Sequence, residues 1–122
     1  QAELSEALTI TRKAKGEDSQ ETASALNNLG QAQQLAGKFK QAEENYRHGL
    51  AIRLQKLDSK SPFIADSYTC LGAVCASTGR LKEARDFYQK ALAIQEKTLS
   101  PADPRLTQTQ KQYADVVLKM RR

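Results

Sequence analysis

Apolar residues recur at helical spacing in six stretches of this chain, separated by short polar or glycine-containing breaks. Between residues 2 and 15, Leu4, Ala7, Leu8 and Ile10 form one apolar stripe with good helix formers between them. Gly16 ends that helix, and Lys13 and Lys15 suit the negative end of its dipole. Ser19 is placed to cap the next helix, with Glu17 and Glu21 near its positive end. That helix runs to about Ala36, with Ala23, Leu26, Leu29, Gly30 and Ala36 facing inward. Gly37 breaks it, because glycine turns left-handed at little cost and is poorer than alanine inside a helix by about 1 kcal/mol. A third helix, from about Phe39 to Leu57, carries Ala42, Tyr46, Leu50, Ile52 and Leu57. After the loop 58–62, a Ser61 cap and Pro62 in the first turn open a helix to about Thr78. Gly79 then turns the chain into a helix from about Leu81 to Thr98. Asp103 caps the last helix, about 104–120, with Pro104 in its first turn.

The pattern repeats with a period of 42 residues: Leu29-Gly30, Gly37, Ala42, Tyr46, Leu50 and Ile52 return as Leu71-Gly72, Gly79, Ala84, Tyr88, Leu92 and Ile94. A fixed period of this size marks an array of stacked supersecondary units. Stacking is required, since short isolated helices are marginal in water and a lone helical pair cannot cover its own apolar faces. By the same register Leu4, Leu8 and Ile10 match Tyr46, Leu50 and Ile52, so residues 1–16 read as the second helix of a truncated repeat. Residues 17–58 and 59–100 are full repeats, and 101–122 is a final first helix. Gly30, Gly72 and Ala114 are equivalent. A small residue there lets two helix backbones approach, with Tyr46 and Tyr88 filling adjacent space. Gln110 takes the place of Leu26 and Tyr68, and a polar residue there suits a solvent-facing cap, although Val117 and Met120 stay apolar.

The Leu-Gly pair, the alanine after the turn, the aromatic four residues later and the small residue beyond it resemble the tetratricopeptide repeat. The 42-residue spacing, the run Leu26-Asn27-Asn28-Leu29-Gly30, Ala51-Ile52-Arg53, Ala93-Ile94-Gln95 and the proline-containing loop after Leu57 are similar to the longer variety found in kinesin light chains. The resemblance covers the whole chain. It implies an all-α, right-handed solenoid of about six antiparallel helices, whose first helices line a concave groove for a peptide or helix of a partner protein. Register carries that groove onto Ser24, Asn28, Gln31 and Leu35, flanked by Asn27 and Gln34. It continues with Asp66, Cys70, Ala73 and Ser77, and then with Gln108, Gln112, Asp115 and Lys119. Steps of three and four place each set on one helical face, independently of the family. Asn and Gln amides both donate and accept, so they can pair with the backbone of an extended peptide. The second repeat departs from the pattern with Thr69-Cys70 in place of Asn-Asn, which breaks a continuous ladder of amides. No dense Lys/Arg cluster lines the groove to capture a C-terminal carboxylate.

Composition narrows the alternatives. At 122 residues, 39% hydrophobic and 27% charged, the chain has the makeup of an ordinary globular domain, and no apolar run reaches the length of a membrane span. The net charge of +5 is spread along the chain, with small clusters at Arg12-Lys13-Lys15 and Arg121-Arg122. Nucleic-acid binding calls for a concentrated basic face with aromatics for stacking, so an RNA or membrane role is the weakest of the readings. Cys70 and Cys75 lie on different faces of one helix and lack metal or redox spacing. Cys75 reads as a small core residue, while Cys70 looks toward the groove. Unpaired thiols favour a reducing compartment, hence the cytoplasm. The single histidine, His48, has no second histidine or nucleophile in register. Glu43, Glu44, Glu83 and Asp86 read as solvated helix charges. No cofactor, metal or catalytic constellation is expected. The start at Gln1, neither an initiator Met nor a signal peptide, reads as a piece of a longer protein. The functional expectation is a scaffold that binds a partner segment, and its rival is a structural spacer or self-assembly interface with cut edges that stack.

Overall fold

The computed structural model describes residues 2–122, and every element in it is an α-helix: α1 (Ala2–Lys15), α2 (Gln20–Leu35), α3 (Phe39–Lys56), α4 (Pro62–Ser77), α5 (Leu81–Thr98) and α6 (Pro104–Met120). The chain divides between Asp58 and Ser59 into two compact units.

Helix starts follow from local chemistry. Ser19 Oγ accepts the Thr22 N–H at 3.1 Å, and the Thr22 hydroxyl donates to the Gly16 carbonyl at 2.6 Å, which ties the α1–α2 turn to the cap. Ser61 Oγ accepts the Phe63 N–H at 3.2 Å, and Asp103 Oδ1 accepts the Arg105 N–H at 2.9 Å, each just ahead of a proline in the first turn. The turns inside each pair are also matched. Gly37 and Gly79 both sit at φ +80°, a conformation that costs a residue with a Cβ. The N–H of Lys38 then reaches the Gln33 carbonyl at 2.8 Å, and that of Arg80 the Cys75 carbonyl at 2.9 Å, which closes both helix ends.

In the first unit α2 packs against both α1 and α3. Leu8, Ala23, Leu26, Leu29 and Ile52 form the core, with Leu4 and Ala25 at its edge. In the second unit α5 packs against α4 and α6, and α4 touches α6. Cys75, Ala84, Tyr88 and Val116 form a cluster there, joined by Leu81, Phe87 and Tyr113. Tyr68 stacks on Phe87 with ring centroids 6.2 Å apart, and Lys90 Nζ lies 5.6 Å from the Tyr68 centroid.

One expectation changes. Ala36 does not face inward: it is the C-cap of α2 and is exposed. The α1 stripe is partly uncovered, in line with a second helix read without its first: Leu8 is buried and Leu4 half-buried, while Ala7 is exposed and Ile10 is 66% exposed. At Gly30 and Gly72 the nearest neighbour is a tyrosine side chain, as the register implies. Each seats the tyrosine ring of the following helix in its own unit, Tyr46 over Gly30 and Tyr88 over Gly72.

Candidate partner-binding surface

On α2 the inward residues Ala23, Leu26, Leu29 and Gly30 are buried, whereas Asn28 and Gln31 are exposed. Ser24 is half-buried, and its Oγ accepts a hydrogen bond from Arg53 Nη2 at 3.3 Å. Ser24 and Asn28 line one wall of an open cleft, and Leu4, Ala7 and Thr11 of α1 line the other. Leu35, at the C-terminal end of the helix, is 91% exposed. The flanking residues behave differently. Asn27 is only 7% exposed and lies in the packed side of the helix. Gln34 is half-buried, with its Oε1 accepting the Tyr46 hydroxyl at 2.8 Å.

In the second unit Asp66, Cys70 and Ala73 on α4 are half-buried, and Ser77 is exposed. On α6 Gln112 is half-buried, and Gln108, Asp115 and Lys119 are exposed. Of these residues the structure brings Asp66 and Gln108 together, on opposite walls of a cleft of about 330 Å³. Thr69, Gln95, Pro104, Arg105 and Thr109 complete its lining. None of these five stood out from the sequence as a site residue. The available signal was the repeat register: Gln95 occupies the position of Arg53, two polar residues at a place that is buried in both repeats, 2% and 4% exposed.

The charges near this cleft are organised by one ion pair. Arg105 Nε and Nη2 donate to Asp103 Oδ1 and Oδ2 at 3.1 and 3.0 Å. Those hydrogen bonds hold the Asp103 carboxyl below the usual carboxylate range and raise the Arg105 guanidinium above its own. Elsewhere in the unit, burial pushes the Tyr88 hydroxyl up to about 12, helped by the neighbouring thiols of Cys70 and Cys75 and by Asp115. Cys75 is fully buried, as a core residue should be. His48 is exposed on α3.

Capped helix pairs, a left-handed glycine turn inside each pair and a tyrosine seated on a glycine of the preceding helix define a protein built from two-helix repeats. The tetratricopeptide repeat model matches residues 1–55 and 63–122, and the chain belongs to the tetratricopeptide repeat family. Among solved structures it is similar to a Podosopora anserina protein described as a kinesin light chain with nearly identical TPR-like repeats. That match has a TM-score of 0.84 and 25% identity, and covers 93% of this chain and 54% of the other. It is also similar to BtubC (BKLC) from P. vanneervenii, with a TM-score of 0.83, 28% identity, and coverage of 93% and 45%. The chain thus spans about half the length of these structures. No curated protein matches it. The fold class is all-α, of the kinesin-light-chain-like tetratricopeptide type, a family that in general serves protein–protein interaction. Among the described residues, no helix is long and apolar enough to cross a membrane.

Proposed function

We propose that this array is a non-enzymatic adaptor that holds a peptide segment of a partner protein on the exposed faces of its first helices, α2 in one unit and α4 with α6 in the other. The observation that carries the reading is the two-sidedness of α2. One side is packed with Leu26, Leu29 and Gly30, and the other presents the uncharged amides of Asn28 and Gln31. A packed helix with amides on its exposed side, Asn28 first among them, can turn donors and acceptors to an extended backbone without the desolvation cost of buried charge. The thiols of Cys70 and Cys75 fit a reducing compartment such as the cytoplasm. The test is a peptide selected on the parent chain from a random display library. Asn28→Ala with Gln31→Ala should weaken its binding by about tenfold or more and leave the melting temperature unchanged. Unchanged affinity in the double variant rules the α2 face out.

A second reading, self-assembly, is favoured by the exposed Ile10 and by the open cleft walled by Leu4 and Ala7 on α1. A sedimentation mass that rises with concentration supports it, and a strict monomer removes it.

A further inference from the structure

The two units share a register two repeat periods apart, in which α1 and α2 stand for α5 and α6. In the second unit α4 packs against α5 and touches α6, and Tyr88, Ala91 and Gln95 of α5 are buried. Their counterparts on α1 are Leu4, Ala7 and Thr11, of which Ala7 is exposed and the other two are half-buried. With Glu21, Ser24 and Ala25 of α2 they line an open cleft of about 360 Å³. The register therefore sets this cleft where the second unit holds a first helix.

The matching surface is on α6, itself a first helix. Thr107, Gln110, Ala114 and Leu118 stand one period after Ala65, Tyr68, Gly72 and Ala76 of α4. Ala65 and Gly72 are buried, and Tyr88 of α5 lies over Gly72. Thr107 and Ala114 are exposed, and Leu118 is 54% exposed. The polar members of this face are accommodated. The Thr107 hydroxyl donates to the Asp103 carbonyl at 3.4 Å, and Gln110 replaces a tyrosine that is itself only half-buried.

Two features select α1 as the helix that completes this face. In both full repeats a glycine seats a tyrosine, and a Cβ on Gly72 would come 2.7 Å from the Tyr88 ring. At the same register place α6 carries Ala114 and α1 carries Leu4, so the added methyl meets a side chain without the ring. Charge agrees. Asn45, the counterpart of Glu3, reaches Gln33 in the last turn of α2 at 2.7 Å. Glu3 would thus stand beside the end of α6, where Lys119, Arg121 and Arg122 are exposed. Resting on the self-assembly reading above, we infer that α6 of one molecule docks in the α1–α2 cleft of a second copy and supplies the first helix for its α1. The two surfaces differ, so the contact is heterologous and the chains join end to end.

The experiment follows sedimentation mass against concentration for the full chain, for Ala7→Glu on α1 and for Ala114→Glu on α6, each variant first shown to melt like the parent. Both positions are exposed, so neither substitution enters a packed core. The parent mass should rise with concentration, and each variant should associate about tenfold more weakly or worse, because a carboxylate would be buried in the contact. An equimolar mixture of the two variants should form a dimer and nothing larger, since each blocks a different end. Variants that assemble like the parent overturn the contact between α6 and the cleft and leave self-assembly standing. So does assembly that only one of the two variants blocks, which means that like surfaces meet, and so does a mixture that stays monomeric. A parent that is a strict monomer overturns both. Ile10→Glu and Leu118→Glu replace any variant that melts low, with the same outcomes.

Discussion

A Cβ built on Gly72 would lie 2.7 Å from Cε1 of Tyr88, and one on Gly30 would lie 2.7 Å from Cε1 of Tyr46. The rings are 2% and 0% exposed, so neither can swing into solvent to make room. Gly72→Ala therefore sets two effects against each other. Alanine improves helix propensity by about 1 kcal/mol, and overpacking a closed core costs about 1–3 kcal/mol. With a rigid aromatic edge as the obstacle, overpacking wins. Gly72→Ala should melt below the parent and Gly72→Leu lower still, and pairing Gly72→Ala with Tyr88→Leu should recover part of the loss. A Gly72→Ala variant that melts at or above the parent temperature would show that the ring can retreat.

The same ring is held differently in the two units. The Tyr46 hydroxyl donates to Gln34 Oε1 at 2.8 Å, and beside it Asn45 Nδ2 donates to Gln33 Oε1 at 2.7 Å. Forty-two residues on, Gln34, Gln33 and Asn45 become Ala76, Cys75 and Phe87, so the second tyrosine has no amide at these places to match the first. Gln34→Ala takes this acceptor from a buried phenol and should cost about 1–3 kcal/mol, more than Tyr46→Phe at about 0.5–1.5 kcal/mol. Denaturant titration of both single variants and the double variant gives the coupling between the two groups, and additive losses would deny them a shared bond.

Local chemistry made much of this fold legible in the sequence. Ser19, Ser61 and Asp103 cap where their position before a periodic run implies, and Gly37 and Gly79 turn where the apolar period breaks. Periodicity also separates Asn28 from Leu29, because neighbours on a helix point a hundred degrees apart. It says less about residues on the border between the faces. Asn27 and Gln34 lie there, and tertiary packing turned the first inward and gave the second a tyrosine to accept from. The small residue at 72 and the Tyr88 that fills the space beside it were both visible in the register, and the packed chain adds how tightly they meet, 2.7 Å between a Cβ at 72 and the ring. Gln95 was hidden. A polar residue at an inward position can be satisfied, hydrated or waiting for a ligand, and the sequence does not distinguish these.

Tyr88 gives stability a dependence on alkaline pH. Its hydroxyl is shifted from the ordinary 10.0 to about 12, chiefly by burial, so the folded state resists an ionisation that the unfolded state undergoes. The contribution is complete below the unfolded value of 10.0 and is lost as pH rises through the folded value of about 12. A shift of this size corresponds to stability on the order of 2 kcal/mol. Urea midpoints should fall across that window more steeply for the parent than for Tyr88→Phe, which has no proton to lose there. Parallel curves for the two proteins would assign the alkaline loss to other groups.

Arg53 supplies the remaining prediction, because it is a charged residue that is 4% exposed and reaches from α3 to α2, with Nη2 3.3 Å from Ser24 Oγ. Its stem contributes packing as well as its hydrogen bonds. Ser24→Ala removes one hydrogen-bond acceptor and should cost about 1 kcal/mol, whereas Arg53→Ala also opens a gap in the α2–α3 contact and should cost about 2–4 kcal/mol. Arg53→Gln copies the residue that the second repeat carries at this place and should fall between them. Binding should follow a different order. Ser24 turns one lone pair toward Arg53 and keeps its proton to donate, so its loss should weaken a selected peptide less than the loss of Asn28, whose amide is exposed. Melting temperatures and peptide affinities measured on the same three proteins and Asn28→Ala separate the roles: Arg53 dominates the first series and Asn28 the second. If Arg53→Ala melts like the parent, the buried guanidinium does not hold α2 to α3, and the placement of the α2 face needs another cause.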